Sequence, residues 1–192
     1  PIYNKPLIYY PLTTLIATGI REICIVGNKE EINNFKLLLG NGRQIGCSID
    51  YNHQPLPLGI PDVINKAEEV FGKSPITLIL GDNIITASDI LIETLKEKKI
   101  KGSRIFLTKV QDPSGYGVAT FDKKMNIKNL VEKPKNPKSD YAIIGLYVFD
   151  ELVFEEVKKI KPSRRGELEI IDVLKQYKKR NSLYFNILKR GT

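Results

Sequence analysis

The sequence predicts an α/β protein in which a doubly wound, mostly parallel sheet is extended by a second, mixed sheet. Short apolar runs alternate with helical patterns through the first half of the chain, and this β-α-β-α-β order is typical of parallel strands covered by helices. Strand-like runs then dominate the second half until two helices follow. With 42% hydrophobic residues, the 192-residue chain can bury such a core as one compact domain.

The first half of this single domain, about residues 1–100, alternates strands with helices. The apolar run 23–26 stops at Gly27 and predicts a buried strand. Apolar residues recur at helical spacing between 29 and 39, and Gly40 is a natural helix end. The other elements predicted here are strands at 48–51 and 76–80 and helices at 61–71 and 90–95.

The second half, about residues 101–192, is richer in strands. Asp112-Pro113 and Met125-Asn126 are turn signals that separate its apolar runs. The elements predicted here are strands at 104–110, 117–121, 127–132 and 142–149, helices at 152–160 and 168–179, and a final strand at 183–188.

The composition narrows the chemistry. A single histidine, His53, leaves almost no room for a histidine metal cluster or a Ser-His-Asp triad, so catalysis would rest on carboxylates, cations and backbone groups. Cys24 and Cys47 lack metal-ligand spacing and lie in or next to apolar runs, which predicts buried or half-buried thiols and favours a cytoplasmic protein.

The net charge of +8 suits an anionic partner, although a lysine-rich solvated surface explains it equally well. No segment approaches the roughly 20 apolar residues that span a bilayer. Nucleic-acid binders often have basic runs interleaved with aromatic residues, and this sequence contains no such run. We therefore expect no membrane partner and no nucleic-acid partner, and the charge fits either a phosphorylated small molecule or a solvated surface.

A strand that ends in Leu80-Gly81-Asp82-Asn83 places Asp82 at the carboxyl edge of the sheet, where open α/β sheets bind ligands. A carboxylate there can hold Mg²⁺ that bridges to substrate phosphates. The alternative is that Asp82 caps the next turn or helix.

The loop from Gln54 to Pro61 is stiffened by prolines, and Gly59 permits close approach to the backbone just before a helix. Backbone N–H groups at that helix start could face an anion or a base. Gln54 both donates and accepts, which suits the edge of a pyrimidine. Loops rich in proline and glycine are, however, usually only connections.

Two further segments carry charge at the ends of elements. Glu132-Lys133 combines an acceptor for hydroxyl groups with a cation for phosphate, although Glu-Lys-Pro is also a common surface strand end. Arg164-Arg165 precede Gly166 at a helix start and could bind a phosphate in a bidentate manner. Alternatively, they pair with Glu167 and Glu169 as a charged helix cap.

In their order and joint presence these motifs resemble the sugar-1-phosphate nucleotidyltransferases, and among them the glucose-1-phosphate thymidylyltransferases. The resemblance covers essentially the whole chain. Its segments are residues 1–12, Leu38-Leu39-Gly40, Gln54-Pro55, Leu80-Gly81-Asp82-Asn83, Tyr116-Gly117-Val118, Glu132-Lys133-Pro134, Tyr141-Ala142 with Gly145-Leu146-Tyr147, and residues 165–170 with Asp172.

The resemblance implies a nucleotide-binding sheet in the first half and a sugar-phosphate-binding extension in the second. The implied reaction joins dTTP or UTP to glucose 1-phosphate with release of pyrophosphate, assisted by Mg²⁺, in nucleotide-sugar and polysaccharide biosynthesis. It also implies a homo-oligomer, a dimer or a tetramer. A uridylyltransferase, and a non-catalytic homologue that binds nucleotide sugars and regulates a partner, are the alternatives.

The resemblance also assigns roles to residues. Asp82 would be a metal ligand, and Lys133 and Arg165 would hold the sugar phosphate; these three form the expected catalytic set. Gln54 and the backbone at Gly59 would read the base. The residues expected to line the sugar are Tyr116, Gly117, Glu132, Ile143, Gly145 and Tyr147.

Three departures from the family pattern affect these expectations. The Gly-Thr-Arg loop of the family precedes the segment that matches residues 1–12, and a Trp-x-Asp-x-Gly segment with a second metal carboxylate follows Arg-Gly. Residues 1–192 contain neither, so we expect them alone to react more slowly, on the order of 10³-fold or more. Pro61-Asp62 stands where the family often has Ala-Gln or Ala-Asp, so base or deoxyribose recognition is expected to differ slightly.

Overall fold

The computed structural model describes residues 3–85, 89–95 and 101–189 of the chain. Helices and strands alternate in the first half, and strands prevail in the second. The helices are α1 (Tyr9–Ala17), α2 (Lys29–Leu39), α3 (Ile60–Phe71), α4 (Asp89–Leu95), α5 (Val153–Val157) and α6 (Ile170–Lys179), with a 3₁₀ turn at Arg43–Ile45. The strands are β1 (Glu22–Gly27), β2 (Ser48–His53), β3 (Ile76–Ile79), β4 (Ser103–Lys109), β5 (Gly117–Phe121), β6 (Ile127–Glu132), β7 (Tyr141–Phe149) and β8 (Leu183–Ile187).

Local sequence explains why α2 begins and ends where the pattern predicted. The Asn28 side chain accepts a hydrogen bond from the backbone N–H of Glu31, and the Glu31 carboxylate accepts one from the backbone N–H of Asn28. This reciprocal capping box satisfies two N–H groups at the helix start. The helix ends before Gly40, whose φ of 54° suits a residue without Cβ.

Helix α1 was not predicted from the sequence. Its buried face includes Leu12 and Leu15, whose spacing is helical, so a pattern was present. The helix is tied to the chain that follows β3, because the Thr14 hydroxyl donates to the carbonyl oxygen of Ile85 at 2.7 Å. That bond brings α1 next to the end of β3.

The strands form two sheets. β1 and β2 pair in parallel, as the crossover through α2 requires. The second sheet has the order β6-β5-β7-β4-β8, with β3 also paired to β7; β4 and β8 are parallel and its other pairs are antiparallel. The architecture is therefore mixed α/β with a parallel unit and a mixed extension, and β3 belongs to the extension.

The long strand β7 explains how β3 joins the second sheet. On one edge β7 pairs with β4 along almost its whole length. The other edge is shared: β3 pairs with the segment from Leu146 to Phe149, and β5 pairs with Ala142 and Ile143. Between them, Gly145 accepts a hydrogen bond from the backbone N–H of Leu80 at 2.8 Å. The two partner strands therefore diverge at Ile144-Gly145, which is where the Leu80-Gly81-Asp82-Asn83 turn lies.

The core lies mainly between the second sheet and three helices. Ile64 of α3, Phe154 of α5 and Leu174 of α6 pack there against residues of β4, β5, β6 and β7. A separate cluster joins α1 and α2 to the parallel pair β1–β2. Within the described residues, no helix is long and apolar enough to cross a membrane.

Candidate active site

The turn after β3, residues 80–83, is called the Asp82 turn below. The Asn83 side chain organises it: its Nδ2 donates to Asp82 Oδ1 at 2.7 Å, and its Oδ1 accepts from the backbone N–H of Gly145 at 3.0 Å. The Asp82 carboxylate itself is exposed. Asn83 thus fixes Asp82 relative to β7, a role that the sequence did not reveal.

The close contact between β7 and the Asp82 turn leaves no room for a side chain at Gly145. A Cβ atom at this position would lie 2.6 Å from Asn83 Nδ2 and 2.7 Å from Leu80 Cδ1. Any larger residue would therefore displace the Asn83 amide and the Leu80 side chain. Gly145 therefore contributes by allowing this close packing and by donating its backbone N–H to Asn83 Oδ1.

A cavity of about 570 Å³ lies beside the residues that follow the Asp82 turn. Its walls are the start of α1, with Tyr9, Tyr10 and Thr13, and the pair Ile84-Ile85. The end of β3 therefore has open space next to it, as expected for the carboxyl edge of an α/β sheet.

The Gln54 loop, residues 54–59, follows β2. The backbone N–H of Gln54 donates to the carbonyl oxygen of Gly27 at 2.9 Å, which continues the pairing of β1 and β2. Its side-chain Nε2 donates to the carbonyl oxygen of Gly59 at 3.2 Å and to Asp62 Oδ2 at 2.9 Å. The Gln54 amide is therefore held in place by its own loop and by the first turn of α3.

Gly59 connects the Gln54 loop with residues 163–169, called the Arg165 loop below. Its φ is +96°, and a Cβ atom would lie 2.1 Å from the carbonyl oxygen of Leu168. Next to it, the backbone N–H of Leu168 donates to the carbonyl oxygen of Leu58 at 2.9 Å. The expected base-binding and phosphate-binding segments are thus in direct backbone contact.

Arg165 lies among three carboxylates. Its Nη2 is 3.2 Å from Glu167 Oε1, and its Nη1 is 3.7 Å from Glu169 Oε1 and 4.0 Å from Glu132 Oε1. The Ser163 hydroxyl donates to Glu169 Oε1 at 2.7 Å and accepts from the backbone N–H of Arg165 at 3.1 Å. The charged-cap alternative therefore describes the pairing of Arg165 in this structure, and the same pairing brings Arg165 to Glu132.

The carboxyl group of Glu132 has a raised pKa. Burial is the main cause, since only 22% of its side chain is exposed, and the negative charge of Glu169 adds to it. The cations Lys133 and Arg165 act in the opposite direction but do not cancel the effect. Glu132 also contributes to the raised pKa of Tyr147, whose main cause is again burial.

Lys133 and Tyr116 meet through their backbones at the ends of β6 and β5. Lys133 has a φ of 37°, unusual for a residue with a side chain, and its N–H donates to the carbonyl oxygen of Tyr116 at 3.0 Å. The Tyr116 side chain is 45% exposed and Lys133 is exposed. Both side chains are therefore accessible to a ligand near Glu132.

The other expected sugar-lining residues lie on β5 and β7. Gly117 is opposite Glu132 on one side and opposite Ile143 on the other, and a Cβ atom there would lie 2.9 Å from Ile171 Cδ1. Tyr147 is only 4% exposed and its ring stacks on Phe149 in the core. Its role in sugar binding stays a prediction, as do the roles of the other expected site residues.

The structure brings the expected residues into two groups. One contains Asp82 and Gly145, and the other contains Glu132 and Arg165, with Gln54 joined to the second through the Gly59–Leu168 contact. In the described parts of the chain, no group of three or more His, Cys, Asp or Glu side chains is placed to hold a metal ion.

Comparison with known proteins identifies the class. A family model described as Nucleotidyl transferase matches residues 1–192, and the chain belongs to this family of enzymes. The resemblance inferred from the motifs is thereby confirmed.

Curated relatives are more specific. The glucose-1-phosphate thymidylyltransferase of Neisseria gonorrhoeae is 42% identical over 193 residues, which cover 100% of this chain and 67% of the relative. The enzyme of the same name from an Actinoplanes species is 39% identical over 191 residues, covering 100% of this chain and 63% of its own length. The chain thus spans about two thirds of the length of these relatives.

Solved structures confirm the predicted fold class. A Bacillus anthracis protein assigned as a glucose-1-phosphate thymidylyltransferase, crystallised with sucrose, superposes with a TM-score of 0.88 at 37% identity and covers 98% of this chain and 76% of that one. A UDP-glucose pyrophosphorylase in complex with UDP-glucose gives a TM-score of 0.79 at 27% identity, with 96% and 80% coverage.

Proposed function

We propose that this chain carries the sugar-nucleotide-forming site of a glucose-1-phosphate thymidylyltransferase. The reaction joins dTTP, or UTP, to glucose 1-phosphate and releases pyrophosphate. The observation that carries the proposal is the backbone contact of the Gln54 loop with the Arg165 loop at Gly59 and Leu168. In support of the proposal, this contact joins the loop that carries Gln54, suited to a base edge, to the loop that carries Arg165, suited to a phosphate.

In the proposed mechanism, residues of the chain position two phosphorylated substrates and neutralise their charge. An oxygen of the sugar phosphate attacks the α-phosphorus in line, a new P–O bond forms, and the bond to the β-phosphate oxygen breaks as pyrophosphate leaves. No histidine and no covalent nucleophile is needed. This agrees with a sequence whose one histidine, His53, is exposed.

Arg165 and Lys133 are proposed to hold the phosphate of the sugar 1-phosphate. Arg165 offers a planar fork of N–H donors that fits phosphate oxygens, and Lys133 offers a compact charge. Since Arg165 contacts carboxylates of Glu132, Glu167 and Glu169, a bound phosphate would compete with them. Glu132 is proposed to accept hydrogen bonds from sugar hydroxyls.

Asp82 is proposed to hold a magnesium ion together with the triphosphate. Its exposed carboxylate at the end of β3 fits, because Mg²⁺ usually binds through one or two carboxylates plus substrate phosphates and water. When bound, the ion would neutralise charge on the triphosphate. The part of Asn83 is to hold the Asp82 carboxylate in place through the 2.7 Å hydrogen bond.

Nucleotide specificity has two candidates. The curated relatives are named as thymidylyltransferases, whereas one structural neighbour is a UDP-glucose pyrophosphorylase. We also propose a cytoplasmic homo-oligomer acting in nucleotide-sugar biosynthesis. The free thiols of Cys24 and Cys47 suit a reducing compartment.

The test of the proposed function is pyrophosphate release by the full protein with dTTP or UTP and a series of sugar 1-phosphates. We expect release to require both substrates and Mg²⁺ and to be fastest with dTTP and glucose 1-phosphate. A preference for UTP would instead favour the uridylyltransferase. Binding of nucleotide sugars without any pyrophosphate release would favour the non-catalytic regulatory homologue.

The Asp82→Asn variant tests the metal assignment in the same assay. Removing one charged ligand should lower the Mg²⁺-dependent rate by about 100-fold or more, because the lost electrostatic stabilisation acts on the transition state. Asp122→Asn is the control: its carboxylate holds a turn between β5 and β6, and an amide oxygen can still accept from the backbone N–H groups of Lys124 and Asn126, with loss only of the contact from the Asn126 side chain. An unchanged rate in Asp82→Asn would remove Asp82 from the metal site.

A further inference from the structure

The Gln54 amide has an orientation that its neighbours dictate. Its nitrogen lies 2.9 Å from Asp62 Oδ2 and 3.2 Å from the carbonyl oxygen of Gly59. A carboxylate and a carbonyl oxygen only accept hydrogen bonds. A flipped amide would place its oxygen against both acceptors, so the nitrogen must face them and the oxygen must face away.

The two acceptors are themselves fixed. Asp62 lies in the first turn of α3, where a negative charge is favoured by the helix dipole. Its backbone N–H donates to the same Gly59 carbonyl oxygen at 3.2 Å. On the other side, the backbone of Gln54 is held by Gly27 at 2.9 Å. The amide is therefore anchored at its backbone and at its nitrogen.

The amide oxygen of Gln54 remains available as an acceptor, since no side chain or backbone group of the described residues donates to it. Thymine and uracil present an N3–H donor on the pairing edge, whereas cytosine presents an N3 acceptor. An amide oxygen pairs with the first and opposes the second. Such an oxygen can therefore select between pyrimidines that have otherwise similar shapes.

We propose that Asp62 is a positioning residue: it fixes the Gln54 amide with its oxygen toward the base and so makes the site selective for pyrimidines that carry an N3–H. The inference rests on the proposed function, because it takes the base to lie at Gln54. Asp62 acts through Gln54 and touches no substrate. Without its carboxylate, only the longer hydrogen bond to Gly59 opposes rotation of the amide.

The experiment is calorimetric titration of the full protein with dTTP and with dCTP, in the wild type and in Asp62→Ala and Asp62→Asn. We expect the wild type to bind dTTP at least about tenfold more tightly than dCTP. Asp62→Ala should lose about tenfold of that preference, because the amide can then turn its nitrogen to cytosine. Asp62→Asn should retain most of it, because its Oδ1 can still accept from Gln54 Nε2.

A role of Asp62 only at the start of α3 would lower stability without changing the ratio of the two affinities. Glu30→Ala is the control, since it removes an acidic residue from the first turn of α2. If Asp62→Ala folds poorly in a thermal melt, Asp62→Ser replaces it, because serine still suits a helix start but is too short to reach Gln54.

The possible results distinguish a failure of the role of Asp62 from a failure of the proposed function. Nucleotide binding with a dTTP preference that survives in Asp62→Ala or Asp62→Ser overturns the role of Asp62 and leaves the proposed function intact. Equal wild-type affinity for dTTP and dCTP overturns the selectivity of the Gln54 oxygen. A wild type that binds neither nucleotide overturns the proposed function, and this inference with it.

Discussion

The two sides of the candidate site are held by different forces. The nucleotide side, which comprises the Gln54 loop and the Asp82 turn, is fixed by hydrogen bonds of 2.7 to 3.2 Å that include contacts to Asp62 in α3 and to Gly145 in β7. The sugar-phosphate side, with Glu132 and Arg165, is held by ion pairs of 3.2 to 4.0 Å. Directional hydrogen bonds orient the side chains of the nucleotide side, whereas ion pairs hold those of the sugar-phosphate side.

This difference bears on how each side would meet its ligand. Hydrogen bonds of Gln54 and Asn83 fix the direction of a side chain before any ligand arrives. The Arg165 side chain is 41% exposed and that of Glu167 is 35% exposed, and an ion pair of this kind contributes only about 0 to 1 kcal/mol. A phosphate can replace this partner at small cost. The nucleotide side is thus preformed, and the sugar-phosphate side can exchange its contacts.

The largest expected effect comes from breaking the contact that joins the two sides. Gly59→Ala would force a Cβ atom to within 2.1 Å of the Leu168 carbonyl oxygen, at a φ of +96° that alanine rarely adopts. We expect a loss of about 3 kcal/mol or more in the free energy of unfolding, measured by urea denaturation. The Gln54 loop and the Arg165 loop should separate, so affinity for both substrates should fall together.

Gly166→Ala is the matched control for Gly59→Ala. Gly166 lies in the Arg165 loop with a φ of +78°, but a Cβ atom there would meet nothing within 4 Å. Only the conformational strain remains, about 1 kcal/mol. Equal losses in the two variants would mean that the Gly59–Leu168 contact does not hold the sides together.

Much of the fold could be predicted because its elements have strong local signals. The boundaries of α2, β5 and β6 follow from a cap, a glycine or an apolar run that acts within a few residues. The pairing of β3 with β7 could not be predicted in this way. It depends on β7, whose nine residues leave room for both β3 and β5 along one edge. Since β7 lies far from β3 in the sequence, no local pattern indicates this pairing.

The site divides along similar lines. The sequence placed Asp82 at a strand end and Arg165 beside Glu167 and Glu169, because both facts are local. It did not predict that Asn83 would bond to Gly145, or that Asp62 would hold Gln54, since a hydrogen bond between side chain and distant backbone leaves no periodic pattern. In the sequence, Asp62 stands out only as the neighbour of Pro61, where the family often has Ala-Gln or Ala-Asp.

A smaller effect is expected when the sugar-phosphate side loses the charge of Arg165, which is proposed to bind the phosphate. Arg165→Ala should raise the KM for glucose 1-phosphate by about 10- to 100-fold, because a charge-assisted bidentate contact is lost. The KM for dTTP should change little. Pyrophosphate release at varied sugar-phosphate concentration measures both constants.

Arg164→Ala is the control, because Arg164 is the neighbouring exposed arginine and makes no ion pair among the described residues. An unchanged KM for glucose 1-phosphate in Arg165→Ala, or an equal rise in both variants, would contradict a phosphate contact specific to Arg165. It would also contradict the view that the sugar-phosphate side exchanges its ion pairs for a bound phosphate while the nucleotide side is preformed.

The smallest expected effect is a gain in stability from Glu132→Gln. Burial and Glu169 raise the pKa of Glu132 in the folded protein, so ionisation of this carboxyl costs more in the folded state than in the unfolded chain. The stability contributed by the protonated form is present below the ordinary pKa of 4.5 and is lost as the pH rises through the raised value. Glutamine stays neutral throughout.

The variant should therefore exceed the wild type in unfolding free energy by an amount that grows as the pH rises from the ordinary pKa of 4.5 through the raised pKa of Glu132. Its affinity for glucose 1-phosphate should fall, by about tenfold, since a charged acceptor for hydroxyl groups is lost. Glu155→Gln should behave oppositely: Lys73 lowers the pKa of Glu155, so its removal destabilises at neutral pH and less at acidic pH. A Glu132→Gln variant that is less stable at pH 7 would mean that the ion pair with Arg165 outweighs burial, and that charge organises the sugar-phosphate side more firmly than its distances indicate.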